Sequence, residues 1–228
     1  MSQPVITRSY LFADGELKQK ADALAATLTR DLPDLAARKI TKDNVTFLSS
    51  LISSFDEHST DQELLGTIND ATLKKNATRK EAEIAIRSVR NMADITYSGV
   101  GKYNNFGFED LTRVSDTDFY RLIKRVVRTA TKFLTDLEPQ GLTAAQITAM
   151  QNLQKKFDDE LDAVEDAIKN RDIETQERIN KGNALWDEMS KLASVGKSVY
   201  EDINEAKFND YVLMPSPGGG GATDTPTA

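Results

Sequence analysis

Apolar residues recur at intervals of three and four along most of this chain and seldom alternate, so the pattern predicts amphipathic helices rather than strands. From Asp14 the series Leu17, Ala21, Leu24, Leu28 and Leu32 falls on one helix face, and Pro33 is expected to stop or bend that helix near Asp31. Thr41 can cap a second helix with Val45, Leu48, Ile52 and Phe55 inward, ending near Asp56. Thr60 with Glu63 matches a capping box before Leu64, and Thr78 with Glu81 repeats it before Ala82, Ala85, Val89 and Met92. Residues 69–78 carry little apolar periodicity, which favours a break there over one long helix with a polar middle at Lys74-Lys75-Asn76.

The stretch Tyr97–Tyr120, with Gly99, Gly101, Gly107 and Asn104-Asn105, is the long internal segment least suited to helix. Helical spacing resumes after Ser115 and Asp118, with Leu122, Val126, Ala130, Phe133 and Leu137, and Pro139-Gln140-Gly141 ends it. Thr143 opens a helix bearing Ile147, Met150, Phe157, Leu161, Val164 and Ile168. Asp172 is expected to cap a last long helix through Ile179, Leu185, Trp186, Met189, Leu192 and Val199, fading before Tyr211.

Two stretches align without a gap: Ile40–Glu57 onto Leu142–Asp159, with Thr41 on Thr143, Val45 on Ile147, Leu51 on Leu153 and Phe55-Asp56 on Phe157-Asp158. Upstream, Asp31-Leu32 matches Asp136-Leu137 if the loop between changes length by three residues, and Tyr97 lies near the position matching Tyr200. The expected fold is therefore all-α, two tandem and duplicated antiparallel three- or four-helix bundles. Its parts are an N-terminal arm (1–13), a first bundle (14–98), a glycine- and aromatic-containing connection (99–115), a second bundle (116–212) and a disordered tail (213–228) rich in Pro, Gly and small polar residues.

Composition narrows the chemistry. The 228 residues hold 29 Lys plus Arg against 36 Asp plus Glu, a net charge of -7 that argues against a general nucleic-acid or anionic-membrane binder. No cysteine is present, which removes thiolate nucleophiles, disulfides and cysteine metal sites. The start lacks a secretory layout and no apolar run is long enough to span a bilayer, so a cytoplasmic protein is expected.

His58, the only histidine, sits in FDEHSTD beside Asp56, Glu57 and Asp61 and reads as an exposed turn residue. No Glu-x-x-His pair, calcium loop or nucleophile elbow accompanies it, so neither metal, cofactor nor enzymatic centre is expected. Ser194-Val195-Gly196-Lys197-Ser198 resembles the end of a phosphate loop, but Lys191 stands where the earlier glycine belongs and no strand precedes it. Two groups of residues keep functional content. Tyr10, Phe12, Tyr103, Phe106, Phe108, Tyr120, Phe208 and Tyr211 gather at the three bundle boundaries, where they would close bundle ends or meet another subunit or protein partner. Arg121, Lys124, Arg125 and Arg128 share one side of a helix that could meet an anionic ligand or nucleic acid. The expectation favours a noncatalytic structural or protein-interaction module, with the anion binder as the alternative.

Overall fold

A computed structural model describes residues 6–98, 101–108 and 113–214. The chain is all-α: helices α1 (Asp14–Leu35), α2 (Lys42–Asp56), α3 (Asp61–Tyr97), α4 (Gly101–Asn104), α5 (Asp116–Lys132), α6 (Leu134–Leu137), α7 (Ala144–Tyr200) and α8 (Glu205–Asp210), with 3-10 turns at Ala36–Arg38 and Glu138–Gln140. Among the described residues there is no strand, and no helix is long and apolar enough to cross a membrane. Residues 215–228, most of the expected tail, lie outside the described range.

Side-chain caps set several helix starts. Thr41 with Asn44 and Thr60 with Glu63 form reciprocal boxes at α2 and α3, and Ser115 Oγ accepts the Asp118 N–H at α5. Thr143 and Gln146 make the same reciprocal pair ahead of α7. The turns before α2 and α7 are also alike. Lys39 and Gly141 both take the left-handed conformation, and the N–H groups of Ile40 and Leu142 reach back to the carbonyls of Leu35 and Leu137. Leu35 therefore stands where Leu137 does, and the three-residue length change expected upstream is not needed.

Three expected boundaries fall elsewhere. α1 continues through Pro33 to Leu35, because the missing N–H forfeits a single bond, to the carbonyl four residues back at Thr29, and buried Leu35 anchors the last turn. α3 has no break at 69–78: Lys75 and Arg79 ion-pair with Asp116, Arg79 also donates to the Val114 carbonyl, and Thr78, expected as a cap, is fully buried within the helix. α7 is one helix of 57 residues that runs through Asp172.

The chain forms two compact units, and they are nested rather than tandem. Among the described residues, 6–59 and 173–214 make one, and those within Thr60–Asp172 make the other. The described part of the expected connection, 101–108 and 113–115, thus belongs to the second unit, and 99–100 and 109–112 lie outside the described residues. The first unit's core joins Leu17, Leu24 and Leu28 of α1 and Leu48 and Phe55 of α2 to Leu185, Met189 and Leu192 of α7, closed by Tyr211. The second unit's core joins Phe119, Val126 and Ala130 of α5 and Met150 and Phe157 of α7 to Ile86 and Val89 of α3, closed by Phe106. A helix pair from one part of the chain is completed in each unit by a helix from the other part, since neither apolar face is covered by its own neighbours alone.

Candidate functional site

The boundary aromatics are packed into the two units. Tyr10, Phe106 and Tyr211 are core residues, 3%, 0% and 0% exposed, which leaves them no surface for a partner. The Tyr10 hydroxyl donates to Asp14 at 2.9 Å, and its ring lies on Gly182 of α7, where any side chain would collide with it. Burial, then the bond to the Asp14 carboxylate, pushes the phenol up to about 12. Phe12 packs edge-on to Trp186 at 5.5 Å. Phe108 stacks on Phe106 at 5.0 Å and meets Tyr103 at 5.4 Å, while Tyr120 accepts from Gln154 and Phe208 packs against the first unit's core. Phe12, Tyr103, Phe108, Tyr120 and Phe208 are half-buried at these contacts.

Gly196 of the phosphate-loop look-alike has a packing role: the Tyr211 ring occupies the space a Cβ would need. On α5, Arg121, Lys124, Arg125 and Arg128 are exposed, as the helical spacing requires. Arg121 lies 3.8 Å from Asp118, Lys124 sits over the Tyr120 ring, and the Arg125 guanidinium packs over Gly107, whose φ of 61° and lack of a side chain permit the approach.

The second unit contains an open apolar groove of about 230 Å³ between α3 and the first part of α7. Ile84, Ala85, Val89 and Met92 form one wall, Leu142, Ala149, Met150 and Leu153 the other, with Glu81, Ser88 and Gln146 at the rim. The α3 positions follow the three-and-four spacing of one helix face, and Ile84 is 61% exposed. Lys80 and Arg87 flank Ile84 in an adjoining depression, where Glu83 is held by Arg79 at 3.2 Å. None of these was singled out as a site from sequence, because Ala85, Ser88 and Ala149 are small residues whose effect is to leave space.

The other cluster lies in the first unit. His58, Glu174 and Glu177 bring a ring nitrogen and two carboxylate oxygens within 4.8 Å of one another. The expected exposed turn residue is in fact enclosed: the His58 side chain is 9% exposed, with Nδ1 at 3.2 Å from Glu174 Oε2. Burial comes from α7, whose Arg178 donates to the Ser59 carbonyl at 3.2 Å and Lys181 to the Ser54 carbonyl at 3.3 Å, drawing the α2–α3 turn against it.

A three-member carboxylate arrangement recurs in both units. Asp34 accepts from Tyr200 at 2.7 Å and Lys207 at 2.8 Å, and Asp136 accepts from Tyr97 at 3.1 Å and Lys102 at 2.7 Å. In each, the lysine also lies over the tyrosine ring. The paired lysine holds each carboxyl below its usual range, which suits a structural clamp rather than proton transfer.

Comparison with protein-family models, with curated proteins and with solved structures finds no match for this chain.

Proposed function

We propose that this chain is a noncatalytic protein-interaction module, a duplicated helical frame whose second unit takes an amphipathic helix of a protein partner into the groove between α3 and α7. The reading of duplication rests on the constant offset that carries Thr41 onto Thr143. It carries buried Leu17, Ala21, Leu24, Leu28 and Leu35 onto buried Phe119, Ile123, Val126, Ala130 and Leu137, and Asp34 onto Asp136. Within one residue of the same offset, Ala82, Ile86 and Val89 of α3 fall on Leu185, Met189 and Leu192 of α7, and Tyr97 on Tyr200. On this reading the repeats have exchanged their third helices, so α3 completes the second unit and the C-terminal part of α7 the first.

The groove carries the functional reading because it breaks that repetition. Where the second unit has Ala85, Ser88 and Ala149, the corresponding positions of the first are Glu188, Lys191 and Phe47. Glu188 and Lys191 there join in an ion pair at 3.2 Å. Small residues in one copy open an apolar slot, and its parallel helical walls suit a helix with apolar residues at i, i+3 or i+4, and i+7. Lys80 beside it, with Arg87 already 3.8 Å from Glu83, favours a partner with acidic residues flanking those anchors. Incomplete catalytic constellations support a binder over an enzyme.

Selection of helical peptides from a display library against the full chain tests this directly. Selected peptides should share the apolar spacing with acidic flanks, and Ala149→Phe, which installs the other copy's side chain in the groove, should weaken them at least about tenfold. Selection that yields no helical peptide, or binding that Ala149→Phe leaves unchanged, would sink the reading.

A further inference from the structure

The enclosure of His58 in the first unit creates a donor set that the groove does not use. Glu174 and Glu177 are three residues apart on α7 and so project from the same face one turn apart. His58 meets them from the α2–α3 turn, whose position is fixed on both sides by Lys181 and Arg178 bonds to the carbonyls of Ser54 and Ser59. Ligands held by such bonds keep their geometry without a bound ion. On this stretch of α7 Arg178 also pairs with Asp14 at 3.2 Å.

A second observation is independent of the carboxylates. The His58 side chain is nine-tenths buried and turns Nδ1 to Glu174 at 3.2 Å, while its other nitrogen, Nε2, is buried with no hydrogen-bond partner. A buried imidazole whose second nitrogen is unserved costs desolvation that no protein group offsets. An enclosed imidazole beside two carboxylates is a borderline donor set, matched to a first-row divalent ion such as Zn²⁺ rather than to Ca²⁺ or Mg²⁺, which take oxygen ligands.

The geometry points to a divalent transition-metal site at His58, Glu174 and Glu177, with Zn²⁺ as its reference ion. Three protein ligands leave at least one coordination position for water, and the ion's charge offsets that of the two carboxylates. Its place is the junction of α2, the α2–α3 turn and α7, so binding ties together the two chain segments of the first unit. The site does not depend on the groove of the second unit, and either can fail without the other.

The test is calorimetric titration of Zn²⁺ into the full untagged chain, freed of metal by chelator dialysis, at about pH 7.5. One site per chain is expected, with affinity falling at least about tenfold in Glu174→Gln, Glu177→Gln and His58→Gln. Glu177 is exposed, so Glu177→Gln reports on the metal even if the His58 variant loosens the turn, and helicity by circular dichroism distinguishes the two. Absence of saturable heat, or a Zn²⁺ affinity that Glu177→Gln leaves unchanged while helicity is retained, overturns the proposal.

Discussion

At the scale of single residues, Asp31 is the most enclosed charge among the described residues of the first unit. Its carboxylate is 1% exposed and accepts from Arg30 at 2.7 Å, Lys207 at 2.9 Å and the Tyr211 hydroxyl at 3.1 Å. The Arg30 bond, followed by those of Lys207 and Tyr211, outweighs burial and holds the carboxyl at about 2, below its ordinary value of 3.8. A folded-state value below the unfolded one means the charged form stabilises the fold. That stabilisation is complete above the ordinary value and is lost as pH falls through about 2. Acid titration of stability, followed by circular dichroism in urea, should show a loss of about 2 kcal/mol over this window. In Asp31→Asn that contribution should be absent at neutral pH and the slope correspondingly smaller; an unchanged slope would remove Asp31 from this role. The sequence shows an aspartate next to an arginine but not the tyrosine and lysine that reach it from the far end of the chain.

At the scale of elements, two glycines inside helices separate intrinsic propensity from packing. Gly66 in α3 has open space around the position of a Cβ, whereas at Gly196 in α7 a Cβ would strike the Tyr211 ring. Tyr211 cannot move aside cheaply, being fully buried, stacked at 6.0 Å on Tyr200 and bonded to Asp31. Gly66→Ala should therefore raise stability by about 0.5–1 kcal/mol, the helix-propensity difference. Gly196→Ala gains the same propensity but overpacks the core at a cost of about 1–3 kcal/mol, so it should be neutral to destabilising by up to about 2.5 kcal/mol. Chemical denaturation of both variants reads the contrast, and equal stabilisation of the two would refute the packing argument. The same competition between local and tertiary terms explains the missed continuity of α3. Its polar middle lowers apolar periodicity, while Lys75 and Arg79 are held by Asp116, a residue no local window includes.

At the scale of the whole molecule, nesting makes the first unit depend on both ends of the described chain. α1 and α2 bury their apolar faces against Leu185, Met189, Leu192 and Tyr211, all beyond Asp172. Ending the chain at Asp172 should thus strip hydrogen-exchange protection from α1 and α2 while α3, α5 and the retained part of α7 keep theirs. Two tandem bundles would respond differently, with α1, α2 and α3 protected together. Protection of α1 and α2 in the shortened chain would contradict the nested arrangement.

Helical periodicity, caps and turn residues are local properties, and they determined by themselves that the chain is all-α, where α2 starts and ends, and where α3, α5 and α7 begin. The basic face of α5 was legible for the same reason, since spacing alone puts Arg121, Lys124, Arg125 and Arg128 on the solvent side. Tertiary structure decided which helices cover which faces. An amphipathic face specifies that it must be buried but is nearly indifferent to which apolar face buries it, so α3 can complete one unit and the C-terminal part of α7 the other with no sign of that choice in their own pattern. It also decided the fate of His58, because Glu174 and Glu177 lie 116 and more positions away and reach it only once α7 has packed against α2. The groove is of the same kind: it consists of space left by Ala85, Ser88 and Ala149, and space exists only between packed elements.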